Sequence, residues 1–198
     1  MSGHLPDVPK ECRSPHVEHF AGLSEVRRDG SVSASSACSL SQMSTGLEIA
    51  EVHAASPWMP DMVALFECYR RHYGQPGDVV EVRDWLKSQL ASGGLRGFLA
   101  HRDGEPGGMA LVASTPASLR LGHFWQLRDL YVADRHRRQG VGRALLARVR
   151  DAAAAEGALR VSLTTEADNI GALTLYRHFG FEPVDGYTSM SLKTEVSG

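Results

Sequence analysis

The sequence predicts an α/β (α+β) fold, a mixed sheet with helices on its faces. Three observations predict it. Some segments carry apolar residues that alternate with a period of two. Others carry them at the helical period. The two kinds interleave in the order β-α-α-β-β-β-α-β-α-β-β. Length and composition agree with one domain and a tail: 198 residues, 42% hydrophobic and 22% charged.

Residues 1–45 stand apart. SVSASSACSLSQMS (31–44) holds seven serines and no apolar periodicity. Such a stretch buries too little to offset its ordering entropy, so 1–45 is expected to be a disordered extension and 46–198 the domain. Cys12, His16, His19 and Cys38 fit no compact zinc spacing, and no metal is expected.

The domain opens with LEIAEVHAA (47–55), an alternating strand. Ser56 and Pro57 read as an N-cap and first helical turn, and Met59, Met62, Val63, Phe66 and Tyr69 follow at helical spacing until Gly74. A second helix is expected from Asp78 to Ala91, with Val82, Trp85, Leu86 and Leu90 on one face and Gly93-Gly94 after it. Residues 95–115 read as two strands about a turn at Asp103-Gly104. FWQLRDLYVA (124–133) is a longer strand. A helix follows from Gly140 to Glu156, then RVSLTTE (160–166) as a strand and a helix from Asn169 to His178. FEPV (181–184) and YTSMSLKT (187–194) are expected to add two short strands.

Charge is concentrated. Residues 135–150 carry six of the 21 Lys+Arg and no acid, which leaves 15 basic against 23 acidic residues elsewhere, a balance of −8. One basic island in an acidic protein suits a local anionic ligand and argues against a nucleic-acid face. Three cysteines cannot build a disulfide framework, the N-terminus lacks a secretory apolar run, and no stretch is apolar enough to span a membrane. A cytoplasmic protein with no membrane association is expected.

RHRRQGVGRA (135–144) places Gly140 and Gly142 at a helix start. Unpaired N–H groups and the helix dipole there favour an anion, glycine lets it approach, and Arg137, Arg138 and Arg143 add charge. A dinucleotide fingerprint fits poorly, because Leu145 holds the place of its third glycine. A P-loop is absent, since no G-x-x-x-x-G-K-[ST] occurs. A ligand-free basic helix start remains the alternative. In the last helix Asn169 and Tyr176 are seven residues apart, hence on one face and roughly 10 Å apart along the axis, a span that suits an elongated ligand.

Two motifs then coincide. Arg137-Arg138-Gln139-Gly140-Val141-Gly142 follows Asp129-Leu130-Tyr131-Val132, and Asn169, Ala172, Leu175-Tyr176 and Gly180-Phe181 lie downstream. In these motifs and in its order of elements, residues 47–194 resemble the GNAT superfamily of N-acetyltransferases. The resemblance implies a mostly antiparallel sheet with one splayed parallel strand pair, and acetyl-CoA as co-substrate. Residues 137–143 (Arg137, Arg138, Gln139, Gly140, Val141, Gly142, Arg143) would cradle its pyrophosphate. Leu130, Tyr131 and Val132 would hold the pantetheine arm in the splay, Asn169 and Ala172 would line that arm, and Tyr176 would stand by the thioester sulfur. It also implies an amine acceptor, on a small molecule or a protein, and admits a homodimer.

The chemistry is an attack by a neutral amine on the thioester carbonyl in a ternary complex. Deprotonating a lysine-like amine at pH 7 costs roughly 5 kcal/mol, so a base is useful. Tyr176 is the expected proton donor to the leaving thiolate. Asp129 is the candidate base or amine ligand, with a structural ion pair to Arg128 or another arginine as its alternative. Arg128 stands where polyamine-type members carry a carboxylate, which weighs against that substrate class. Asp78, Glu81 and Asp84 either attract a cationic acceptor or form a solvated helix face. The rival classes are an acetyl-CoA-binding sensor or interaction module without turnover, and a transferase for a longer acyl group.

Overall fold

The computed structural model describes residues 46–75, 77–186 and 188–194. The expected extension 1–45, with its unlikely zinc set, lies outside them. The described elements are β1 (Leu47–Val52), α1 (Met59–His72), α2 (Val79–Ser92), β2 (Arg96–Arg102), β3 (Glu105–Ala117), β4 (Gly122–Val132), α3 (Val141–Ala155), β5 (Val161–Leu163) and α4 (Ile170–Phe179). The strands form one sheet in chain order; β1 to β4 pair antiparallel, and β4 pairs with β5 in parallel. Among the described residues no helix is long and apolar enough to cross a membrane.

The helices divide between the two faces. Met62 and Phe66 of α1 and Leu86 of α2 pack on Leu99, Met109 and Leu111. Leu145, Leu146 and Val149 of α3 pack on Phe98, Ala110, Trp125 and Leu127. Strands β2 and β3 are therefore buried on both sides, which is why GFLA (97–100) and GMALV (108–112) read as continuous apolar runs. The β2–β3 turn is the expected one: Asp103 and Gly104 have φ of 53° and 83°, the two left-handed residues of a type I′ hairpin.

Several boundaries differ from expectation. The first helix begins at Met59 rather than at Pro57, and the Ser56 hydroxyl accepts the Trp58 amide in the preceding turn. β5 is three residues long. Residues 181–184 and 188–194 carry no strand. Val184, Met190 and Leu192 are exposed there, because alternation marks a strand only where a neighbouring edge accepts it.

Candidate active site

The site begins with an irregularity in β4. Leu111 pairs with Asp129 and Val112 with Leu127, so Arg128 is an extra residue, a β-bulge. The bulge changes the side-chain parity. Trp125 and Leu127 face α3 before it, and Leu130 and Val132 face α3 after it. Asp129 and Tyr131 are thereby turned toward α1, where Tyr131 meets Tyr69 with ring centroids 6.1 Å apart. Pairing with β5 ends at the same place, at Leu127 with Leu163. β4 then continues to Val132 while the chain after β5 turns away, and the parallel pair opens.

The opening holds a cavity of about 360 Å³. Its walls are Leu127, Arg128 and Leu130 of β4, residues Leu163 to Glu166 after β5, Asn169, Ala172 and Tyr176 of α4, and Tyr69 and Tyr73 of α1. Leu130, Asn169, Ala172 and Tyr176 were expected at such a cleft and are brought together there. Tyr73, Thr164, Thr165 and Glu166 were not expected. The signal for Tyr73 was its i,i+4 spacing from Tyr69, and the signal for the bulge was the shift in apolar parity between positions 125, 127 and 130, 132.

Electrostatics distinguish the groups around the cavity. Burial raises the Asp129 carboxyl above the ordinary carboxylate range, while a hydrogen bond from Tyr69 and the charge of Arg128 pull it back. The Tyr69 phenol is pushed up, first by burial and then by the Asp129 charge. Tyr176 is raised to about 12, chiefly by burial. It stays protonated across the neutral range and can donate. Asp129 is not itself a wall of the cavity; it stands behind Tyr69 and is not tied up in an ion pair with Arg128.

The end of α4 explains the Gly-Phe motif. Gly180 has φ of 109°, its amide donates to the Arg177 carbonyl, and the Phe181 amide donates to the Tyr176 carbonyl at 2.9 Å. This is a Schellman cap, whose apolar contact is Phe181 edge-on to Tyr176 at 5.7 Å. The motif thus holds the Tyr176 ring. At the other end Asn169 is the N-cap, its Oδ1 accepting the Ala172 amide at 3.1 Å, which leaves its amide NH2 for a ligand.

The basic loop links β4 to α3. A 3-10 turn spans Asp134–His136, Arg138 has φ of 59° and Gly140 has φ of 84°. No side chain caps α3 and its first turn holds no acid, so donors there have no side-chain acceptor. A Cβ on Gly140 would meet nothing within 4 Å, as a ligand-facing glycine requires. At Gly142 a Cβ would lie 3.1 Å from Leu175 and 3.5 Å from Val132, so the missing side chain there also admits the packing of α3 on α4 and β4.

The arginines also separate. Arg137 donates to the Val132 carbonyl and pairs with Asp134 at 2.8 Å. Arg143 lies over Phe179 of α4. Arg138 is exposed and has no acidic partner among the described residues. Below the loop His136 is buried, with Nε2 accepting from Arg135 Nε at 2.8 Å, and the Gln139 carbonyl accepts from Arg102. Burial first, then Arg135, holds His136 below its usual value and keeps it neutral. Away from the site, Asp78 caps α2, Asp84 pairs with Arg83 and Glu81 is exposed; none lines the cavity. Arg148 pairs with Glu51, and Arg150 with Asp151.

Comparison with known proteins follows the same lines. A model of the acetyltransferase (GNAT) family matches residues 59–181. An uncharacterised N-acetyltransferase of Bacillus subtilis (strain 168), YhfO, is 31% identical over 128 residues, which span 65% of this chain and 86% of that protein. The crystal structure of a probable acetyltransferase superposes with a TM-score of 0.70 at 27% identity, covering 76% of this chain and 99% of that one. An aminoglycoside acetyltransferase, meta-AAC0020, from an uncultured soil metagenomic sample superposes with a TM-score of 0.65 at 17% identity, over 77% of this chain and 100% of its own. At that identity the likeness concerns the fold alone.

Proposed function

The chain belongs to the acetyltransferase (GNAT) family and is an acetyltransferase, and from that premise we propose that residues 46–198 transfer the acetyl group of acetyl-CoA directly to a primary amine in a ternary complex. The observation that carries this is the opening of β4 from β5 at the Arg128 bulge, with Tyr176 on one wall and the Tyr69–Asp129 pair behind the other. The uncapped start of α3, Gly140 and Arg138 suit a diphosphate. The unpaired edge of β4 after Leu127 suits the pantetheine arm.

Each residue has one task. Main-chain donors at 140–143 and the Arg138 guanidinium bind the diphosphate. Leu130 and Ala172 line the arm, and the Asn169 amide hydrogen-bonds it. As the acceptor nitrogen bonds to the acetyl carbon, its proton passes to the Tyr69 hydroxyl while Tyr69 gives its own to Asp129. The carbon–sulfur bond breaks, and the departing thiolate takes a proton from Tyr176. Asp129 suits the role of proton acceptor because burial raises it.

Calorimetry with CoA and thiol release from acetyl-CoA across a panel of amines test the proposal. Micromolar binding with amine-dependent release is expected, and Arg138→Glu, far from the core, should abolish binding without unfolding the protein. Binding without turnover on any amine or protein extract would favour a sensor, and faster release from longer acyl-CoAs would change the donor. No binding at millimolar CoA removes the assignment.

A further inference from the structure

We propose that Arg128 reads a carboxylate on the acceptor, so that the preferred substrates are small amines that also carry an acid group, as amino acids do. This rests on the acetyltransferase assignment above and narrows it.

Arg96 pairs with Glu51 and Glu156, Arg70 and Arg71 with Glu67, Arg135 with Glu105, and Arg137 with Asp134. Arg128 lines the cavity, is exposed, and has no ion pair among the described residues. The reason is geometric. Its sequence neighbour Asp129 is turned by the bulge to the α1 side, where Tyr69 engages it. A forked donor is left in the site with its planar face and N–H groups unclaimed, and carboxylates match that fork.

The rest of the lining sets the size and the polarity. Among the described residues two charged ones line the cavity, Arg128 from β4 and Glu166 from the loop after β5. One cation and one anion in a single opening complement an acceptor that has both an ammonium and a carboxylate. A polyamine would instead bring a second ammonium toward Arg128, and like charges in a partly desolvated site repel. The volume of about 360 Å³ is at the small end for ligand sites and must also admit the thioester end of the donor. A small acceptor follows.

The experiment compares matched acceptors: common L-amino acids and short ω-amino acids, each beside its own carboxamide, with 1,4-diaminobutane and spermidine as polycations. Acids are expected to exceed their carboxamides about tenfold or more in kcat/KM. In Arg128→Gln that acid-over-amide ratio should fall about tenfold, with Arg128→Lys between the two. Equal use of acid and carboxamide, preference for the polyamines, or no accepted acid overturns the proposal. So does a ratio unchanged in Arg128→Gln, or an effect of that variant confined to the KM of acetyl-CoA. CoA calorimetry on the same preparations reads the acetyltransferase assignment separately, so either idea can fail alone.

Discussion

Replacing Tyr69 by phenylalanine isolates one hydroxyl. The ring sits among Phe66, Tyr73 and Tyr131, with centroids at 6.2, 5.1 and 6.1 Å, and phenylalanine keeps those contacts. What disappears is the donor to Asp129. That carboxylate is raised by burial and pulled down by Tyr69 and Arg128. Loss of Tyr69's hydrogen bond therefore moves it further up. A hydrogen bond to a charged group contributes about 1.5–3 kcal/mol, and about 1.4 kcal/mol is one pKa unit. Tyr69 is half-buried, so the low end of that range, about 1.5 kcal/mol, applies. A base must be ionised to act. The acidic limb of kcat/KM should accordingly shift toward higher pH in Tyr69→Phe, and the plateau should drop because the relay is broken. The assay is thiol release at saturating acetyl-CoA across the pH range, with Asp129→Asn as the control that lacks the limb. A variant whose limb coincides with wild type, or lies at lower pH, would refute the coupling of Tyr69 to Asp129 in the reaction.

Three further outcomes follow from the geometry. Tyr176→Phe should retain CoA affinity and lose about 100-fold in kcat, measured by calorimetry and thiol release; a loss of affinity at full rate would make Tyr176 a binding residue instead. Neutral His136 stabilises the fold fully above its unfolded pKa of about 6.5, and that contribution is lost as pH falls through its depressed folded value. The melting temperature of wild type should thus fall more between neutral and mildly acid pH than that of His136→Gln, and parallel curves would count against it. Gly108→Ala places a Cβ 2.8 Å from the Tyr131 carbonyl oxygen and 3.0 Å from Val141, so urea denaturation should show a loss of about 2 kcal/mol; no measurable loss would mean that α3 and β3 separate easily.

Much of the fold was legible because its signals are local. Short apolar runs or alternation mark the strands and a period of 3.6 marks the four helices among the described residues, Asp103-Gly104 encodes its own turn, and Asn169 lies within hydrogen-bond range of the helix it caps. The spacing that puts Asn169 and Tyr176 on one face of α4 is equally local, and both line the cavity. The segments 181–184 and 188–194 look like strands by the same rules, yet carry none, since pairing needs a partner edge that no local pattern records.

What only the tertiary structure decided lies across the chain. Tyr69 and Asp129 are 60 positions apart, and a single extra residue at Arg128 determines that they face each other. In a strand, one residue more or less reverses every side chain beyond it. The crowding at Gly142, where Leu175 lies 3.1 Å from the place a Cβ would take, is a second contact between distant segments. Sequence by itself determined which of the segments up to α4 coil or extend and the family to which the chain belongs. Register and packing decided which face each group meets, because those depend on contacts between segments and not on the order of residues within one.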